Sequence, residues 1–266
     1  MVVKEAPTRA GPRNGEADLR VDRVSKRFAG VQALREVSCR VGRNEIAGLI
    51  GPNGAGKTTL FNCLTGFMPI DAGEIWHRST RLDGSRPEKI AALGLIRTFQ
   101  NIRMFRDLTP FESLLVAQHV RYASQPIQAV LGLRRFRRTM STVYDRADEI
   151  LELVTLNDAR RKKCKELTLL QQRKLELGRA LAAGPTVLLL DEVSAGATAG
   201  EARELVEVIL GIRESGTTIL VIEHNVAFVM ALADRLTVLN FGEVIAEGPP
   251  EAIRENALVK EIYLGT

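Results

Sequence analysis

The segment Gly51-Pro-Asn-Gly-Ala-Gly-Lys57-Thr58 constrains this chain more than any other. It fits the pattern G-x-x-x-x-G-K-[ST], a loop whose main chain cradles the phosphates of a nucleoside triphosphate. Glycines at 51, 54 and 56 permit positive φ and let main-chain N–H groups approach phosphate oxygens. The pattern predicts that Lys57 reaches the β- and γ-phosphates and that the Thr58 hydroxyl ligates Mg²⁺. The apolar run Ile46-Ala-Gly-Leu-Ile50 predicts a buried strand entering the loop, and Lys57 to Thr65 predicts the helix leaving it. That helix would turn its positive dipole end toward the same anion.

The rest of the chain can bury a full core around such a loop. Of 266 residues, 45% are hydrophobic and 26% charged, the balance of a globular domain. One large domain with a subdomain is expected at this length. No apolar stretch approaches the ~18 residues that span a bilayer, and no secretory signal is visible at the N-terminus, so any membrane role should be peripheral. Cys39, Cys63 and Cys164 lack paired spacing and read as reduced thiols of a cytosolic protein. His77, His119 and His224 have no metal-ligand spacing. The net charge of +5 is uneven, with clusters at Arg134-Arg-Phe-Arg-Arg138 and at Arg160-Arg-Lys-Lys163 with Lys165. They read first as solvated faces, then as surfaces near anionic headgroups. No nucleic-acid motif accompanies them, and no nucleic-acid partner is expected.

Residues 1–17 read as a disordered tail and 18–266 as one domain. Leu19 to Val24 and Ala33 to Val41 alternate like half-buried antiparallel strands. Glu74 to His77 and Ile96 to Phe99 read as further short strands. Thr109-Pro-Phe-Glu112 combines an N-cap, a first-turn proline and a capping-box acid. It opens a helical insertion over about 105–180, with a break near Asn157. Strand 186–191, helix 200–214, strand 218–223, helix 225–233 and strand 235–240 follow. In the 200–214 helix an apolar stripe is expected at Ala202, Leu205, Val206 and Ile209.

Val187-Leu-Leu-Leu-Asp191-Glu192 is the second chemical signal. An apolar strand ending in Asp supplies the Walker B carboxylate that holds Mg²⁺. Glu192, one residue on, is placed to polarise or deprotonate a water for in-line attack on the γ-phosphate.

With both motifs in place, the chain resembles the ATP-binding subunits of ABC transporters from about Leu19 to its C-terminus. The resemblance implies an α/β fold: a P-loop NTPase core of ABC ATPase type, with an antiparallel β subdomain and a helical subdomain. It implies ATP and Mg²⁺ as ligands. It also carries roles to particular residues. Gln100, ending Arg97-Thr-Phe-Gln, resembles the glutamine that contacts Mg²⁺ and water. His224, in Ile222-Glu-His-Asn225, resembles the switch histidine on the γ-phosphate. Phe28, in Ser25-Lys-Arg-Phe28, resembles the aromatic that stacks on adenine. Gly51, Asn53, Gly54, Ala55, Gly56, Lys57, Thr58 and Thr59 would form the nucleotide cradle; Thr58, Gln100 and Asp191 would hold the metal; Glu192, His224, Gln100 and Lys57 would serve catalysis.

Phe61-Asn-Cys-Leu-Thr-Gly-Phe67, Arg97 to Phe105, Leu114-Leu-Val-Ala-Gln-His119 and Tyr263-Leu-Gly265 are similar to the ATPases of branched-chain amino-acid importers. Relatives serving urea import or lipopolysaccharide export share much of this pattern. The implied setting is the cytoplasmic face of the plasma membrane, with a second ATPase forming a heterodimer, two permease subunits and an extracytoplasmic solute-binding protein.

The chain also departs from the family. Its signature L-S-x-G-Q-Q-R reads Leu167-Thr-Leu-Leu170-Gln-Gln-Arg173, and D-E-P-x-A-G-L-[ND] reads Asp191-Glu-Val193-Ser-Ala-Gly-Ala197-Thr198. Leu170 in place of glycine is expected to crowd the phosphate bound by the opposite subunit. Two readings follow: a motor subunit with one weakened composite site, or an ATP-binding clamp with little hydrolysis.

Overall fold

The computed structural model describes residues 17–98, 105–122 and 134–264. Among these residues ten strands form two sheets. The first has the order β2-β1-β4-β5, from Ala17–Phe28 (β1), Val31–Gly42 (β2), Ala72–His77 (β4) and Thr80–Arg81 (β5). Its neighbours all run antiparallel. Ala17 already belongs to β1, one residue inside the expected tail; the remainder of that tail lies outside the described residues.

The second sheet has the order β10-β9-β3-β8-β7-β6. It comprises Ile46–Ile50 (β3), Leu95–Arg97 (β6), Val187–Asp191 (β7), Thr218–Ile222 (β8), Arg235–Asn240 (β9) and Glu243–Gly248 (β10). β9, β3, β8, β7 and β6 run parallel, and β10 folds back antiparallel. Every residue of β3, β7 and β8 is buried, as strands covered on both faces require.

Two apolar clusters fill the space on either side. One joins β1, β2 and β4 to Lys57–Leu64 (α1) and to one face of the central sheet. The other joins the opposite face to the longer helices. Pro87–Ala92 (α2) precedes β6. Pro110–Tyr122 (α3) opens with the expected box: the Thr109 N–H donates to Glu112 Oε2 at 2.7 Å and the Glu112 N–H to Thr109 Oγ1 at 3.2 Å. Arg134–Leu153 (α4) buries Ala147, Ile150 and Leu151 at helical spacing, and Val154 continues that stripe just past its end. Short 3₁₀ turns at Asn157–Ala159 and Cys164–Glu166 break the helical run, and Leu169–Ala182 (α5) follows. Ala199–Glu214 (α6), Val226–Leu232 (α7), Pro250–Glu255 (α8) and Ala257–Leu264 (α9) complete the chain.

The stripe of α6 is rotated from expectation. Leu205, Val208, Ile209 and Ile212 are buried, while Ala202 and Val206 are only partly so. Cys63 and Cys164 are buried thiols. Part of the second basic cluster is engaged in packing: Arg160 pairs with Asp148 and lies 4.0 Å over the Phe111 ring, and Lys165 pairs with Asp107 at 3.2 Å. Among the described residues no helix is long and apolar enough to cross a membrane.

Candidate functional site

Parallel strands end together, so the strand order decides which side chains meet. The loop 51–56 leaves the C-terminal end of β3; His224 follows β8, Asp191 ends β7 and Arg97 ends β6. Asp191 pairs in register with Ile222. Crevices at such strand ends are where open α/β sheets bind ligands.

The loop turns through Gly51 (φ 155), Gly54 (φ 80) and Gly56 (φ 103) before α1 begins at Lys57. Asn53 and Gly54 are exposed, Ala55 is buried, Thr58 is exposed and Thr59 half-buried. Lys57 is buried, its Nζ donating to the carbonyls of Gly51 at 2.7 Å and Pro52 at 2.9 Å. Burial pushes the Lys57 ammonium below its ordinary value, against the opposing pull of the Glu192 charge. The loop rests on the first sheet and the β9–β10 turn: the Gly242 N–H donates to the Ala55 carbonyl at 3.0 Å, and the Ala33 carbonyl lies where a Gly56 Cβ would stand. The β1–β2 hairpin is thereby anchored beside the loop, and Phe28 near its tip remains 41% exposed.

Glu192 adopts a left-handed conformation (φ 51), and its N–H donates to the Ile222 carbonyl at 3.0 Å. A non-glycine residue held there is worth reading functionally. The turn aims its carboxylate at His224, with Oε1 to Nε2 at 2.9 Å. Lys57, Asp191, Glu192 and His224 therefore occupy one edge of one sheet. Gln100 lies outside the described residues.

The donor set suits a hard cation. Asp191 and Thr58 offer oxygens, and among the described residues no group of three His, Cys, Asp or Glu side chains forms a metal cage. A Mg²⁺ ion, which keeps water and takes phosphate oxygens rather than needing an all-protein cage, fits such a site.

Three residues that the motifs leave without a role join this edge. Arg97 Nη2 reaches Asp191 Oδ2 at 2.6 Å, and its Nη1 reaches Asn62 Oδ1 at 2.8 Å. Tyr263 of α9 hydrogen-bonds to the Gly51 backbone, while burial pushes its phenol up to about 12. Glu223, buried beside His224, accepts the Ser194 N–H at 2.6 Å. The available signal was an acid directly before a histidine at a buried strand's end.

Burial raises the Glu223 carboxyl above its ordinary 4.5, although hydrogen bonds from Ser194 and Asn225 oppose the rise. The folded protein then holds this proton to a higher pH than the unfolded chain does. The resulting stability is full below the unfolded value and is lost as pH rises through the native one. Glu223→Gln is expected to flatten that decline. Urea midpoints of both proteins from about pH 4.5 to 7 check it, and parallel profiles would rule it out.

The signature segment corrects one expectation. Thr168 caps α5, its Oγ1 accepting the Gln171 N–H at 3.2 Å. Leu170 lies two turns before buried Leu177 on the inward face, and its side chain packs against the main core. The side chain that stands out is Leu169, 51% exposed. Leu170 therefore packs inward rather than projecting from the helix end. Thr198 caps α6, Ala197 packs on the main core, and Arg173 donates to the Ala195 carbonyl.

Comparison with known proteins matches the ABC transporter family model over residues 34–195 and the branched-chain amino acid ATP-binding cassette transporter model over 243–266. The chain is 43% identical over 248 residues to the high-affinity branched-chain amino acid transport ATP-binding protein LivG of Salmonella typhimurium, covering 93% of this chain and 97% of that one. It is 39% identical over 248 residues to BraF of Pseudomonas aeruginosa, a protein of the same description, at the same coverage. A crystal structure of an ATP-binding cassette of an ABC transporter in its ADP conformation superposes with a TM-score of 0.81 at 31% identity, covering 95% of this chain and all of that one.

Proposed function

The chain belongs to the ABC transporter family of ATP-binding cassettes, and on that premise we propose that it hydrolyses ATP to drive branched-chain amino-acid uptake through membrane permeases. The observation that carries the reading is the 2.9 Å contact of Glu192 with His224, at the strand ends that also present Lys57 and Asp191.

Each residue then has a step. Lys57 leaves the Gly51 and Pro52 carbonyls and turns its ammonium to the β- and γ-phosphates. Loop N–H groups and the N-terminus of α1 hold the same oxygens. Phe28 stacks on the adenine. Thr58 and Asp191, with Gln100, would hold Mg²⁺, which would supply neutralisation of the phosphate charge. Glu192 takes the proton of the attacking water. His224 orients that carboxylate and meets the γ-phosphate.

The chain works with a second ATP-binding subunit as a heterodimer, with two permease subunits and, through them, an extracytoplasmic solute-binding protein. It sits on the cytoplasmic face of the membrane. Inward packing of Leu170 supports hydrolysis at both composite sites over a one-sided motor or a clamp. Leu170→Gly should leave turnover of the assembled transporter within about threefold of the parent, since the phosphate approach is unchanged and only packing is lost; a tenfold rise would restore the one-sided reading. The function itself is tested in proteoliposomes holding the permeases, the partner ATPase and the binding protein. Mg·ATP should drive accumulation of labelled leucine. Tight ATP binding with no turnover in any combination would make the chain a clamp.

A further inference from the structure

Arg97 is placed where nucleotide chemistry alone does not ask for a cation. Its guanidinium and the Asp191 carboxylate are 10% and 7% exposed, so the pair is held away from water. One amino group takes Asp191 Oδ2 at 2.6 Å, the other takes Asn62 Oδ1 at 2.8 Å, and the Phe61 ring lies 5.6 Å beneath. Asn62 and Phe61 belong to α1, which carries the phosphate loop. The fork is thus fixed by three groups from two elements and is not an exchanging surface pair. An arginine suits the position because its planar donors fix several partners at once and its charge is never lost.

A carboxylate this buried needs a compensating charge at all times. We infer that Arg97 is a built-in counter-cation of Asp191, supplying positive charge to the metal carboxylate until a divalent cation arrives with nucleotide. Two consequences follow. The Asp191 carboxylate stays paired and aimed while no metal is bound. A second cation meets the Arg97 charge at the same carboxylate, so free metal is rejected, and only the negative charge of the phosphates makes the metal welcome. The site therefore takes metal as the metal–nucleotide complex. This rests on Asp191 being the metal carboxylate.

The test uses the full chain without nucleotide, melted with and without about 10 mM Mg²⁺. The parent should melt at the same temperature in both. Arg97→Gln leaves Asp191 unpaired and should melt roughly 6–15 °C lower. Mg²⁺ alone should recover at least half of that loss, because the ion now fills the missing charge. A loss that Mg²⁺ does not recover would make Arg97 a structural brace and overturn the inference, as would no loss at all. Should Arg97→Gln fail to fold, Asn62→Ala loosens the fork while keeping its charge. Mn²⁺ titration of its ADP complex, followed by electron paramagnetic resonance, should show about tenfold tighter metal binding, because a loosened Arg97 competes less for the carboxylate; unchanged or weaker binding overturns the inference. Asp191→Asn separates the two claims. It should weaken Mn²⁺ about 10–100-fold in the ADP complex. No weakening sinks the metal-carboxylate reading itself, whereas weakening without the Arg97 or Asn62 effects sinks the counter-cation alone.

Discussion

Glu192→Gln should lower Mg·ATP turnover by about 10²–10⁴-fold, the usual loss for a general base, with ATP affinity within a few-fold of the parent. The substitution is nearly isosteric, so the left-handed turn (φ 51) and the N–H bond to the Ile222 carbonyl have no reason to change. Gln Oε1 can still accept a hydrogen bond from His224 Nε2–H, preserving the 2.9 Å contact and the position of the ring. What is lost is the ability to take a proton from water. Binding and turnover therefore separate, as they should for an interaction made only in the transition state. Steady-state phosphate release with a parallel ADP and ATP binding titration reads both quantities. Residual turnover above about a tenth of the parent would remove Glu192 as base and leave water activation to another group.

The parts of this site that follow from local sequence were legible before the fold was known. β3, β7 and β8 announce themselves as apolar runs, and β9 matches its expected span of 235–240 residue for residue. The Thr109–Glu112 box is local chemistry and forms as written. Alternation failed where the backbone breaks it. Alternation marks only Leu19 to Val24, whereas β1 runs from Ala17 to Phe28, because irregular register at Val21/Val24 and Val24/Lys26 moves side chains off the two-residue period. β10, α8 and α9 were not foreseen. Glu243 to Gly248 mixes acids and aliphatics on a half-buried edge, and short helices carry little periodicity to read.

The same division runs through the site. Motif residues name themselves by spacing, but the partners that hold them do not. Arg97 and Asp191 are 94 positions apart and meet only because β6 and β7 are neighbours. Glu223 meets Ser194 through the β7–β8 pairing, and Tyr263 meets Gly51 from the far end of the chain. Strand order sets these encounters. Leu170 shows the converse, since its departure from the family pattern was plain in the sequence but the direction of its side chain belongs to the helix phase.

Gly51→Ala should remove nucleotide binding and lower stability together, while Gly54→Ala in the same loop should do neither strongly. Both glycines adopt positive φ in the loop, but their surroundings differ. A Cβ at Gly51 would stand 2.2 Å from the Leu239 carbonyl oxygen and 3.0 Å from Ala55 Cβ. Leu239 lies in β9, which pairs with β3 on one side and β10 on the other, so that oxygen cannot swing away. Tyr263 holds the Gly51 backbone as well. Relief must come from displacing the loop, which carries the phosphate-facing N–H groups with it. Overpacking against main chain costs about 3 kcal/mol or more, a fall of roughly 6–12 °C in melting temperature for a domain of this size. A displaced cradle should weaken ADP binding about a hundredfold, or about 2.8 kcal/mol. At Gly54 the backbone is left-handed (φ 80), but nothing lies within 4 Å of an added Cβ. The expected cost is only the conformational one, about 1–2 kcal/mol, with ADP affinity within about threefold of the parent, since the loop keeps its path and its N–H donors. Calorimetric melting and ADP titration of the two variants side by side decide the matter. Equal losses would place the constraint at Gly51 in the phosphate contact alone, and normal ADP binding by Gly51→Ala would show that β9 does not fix the loop.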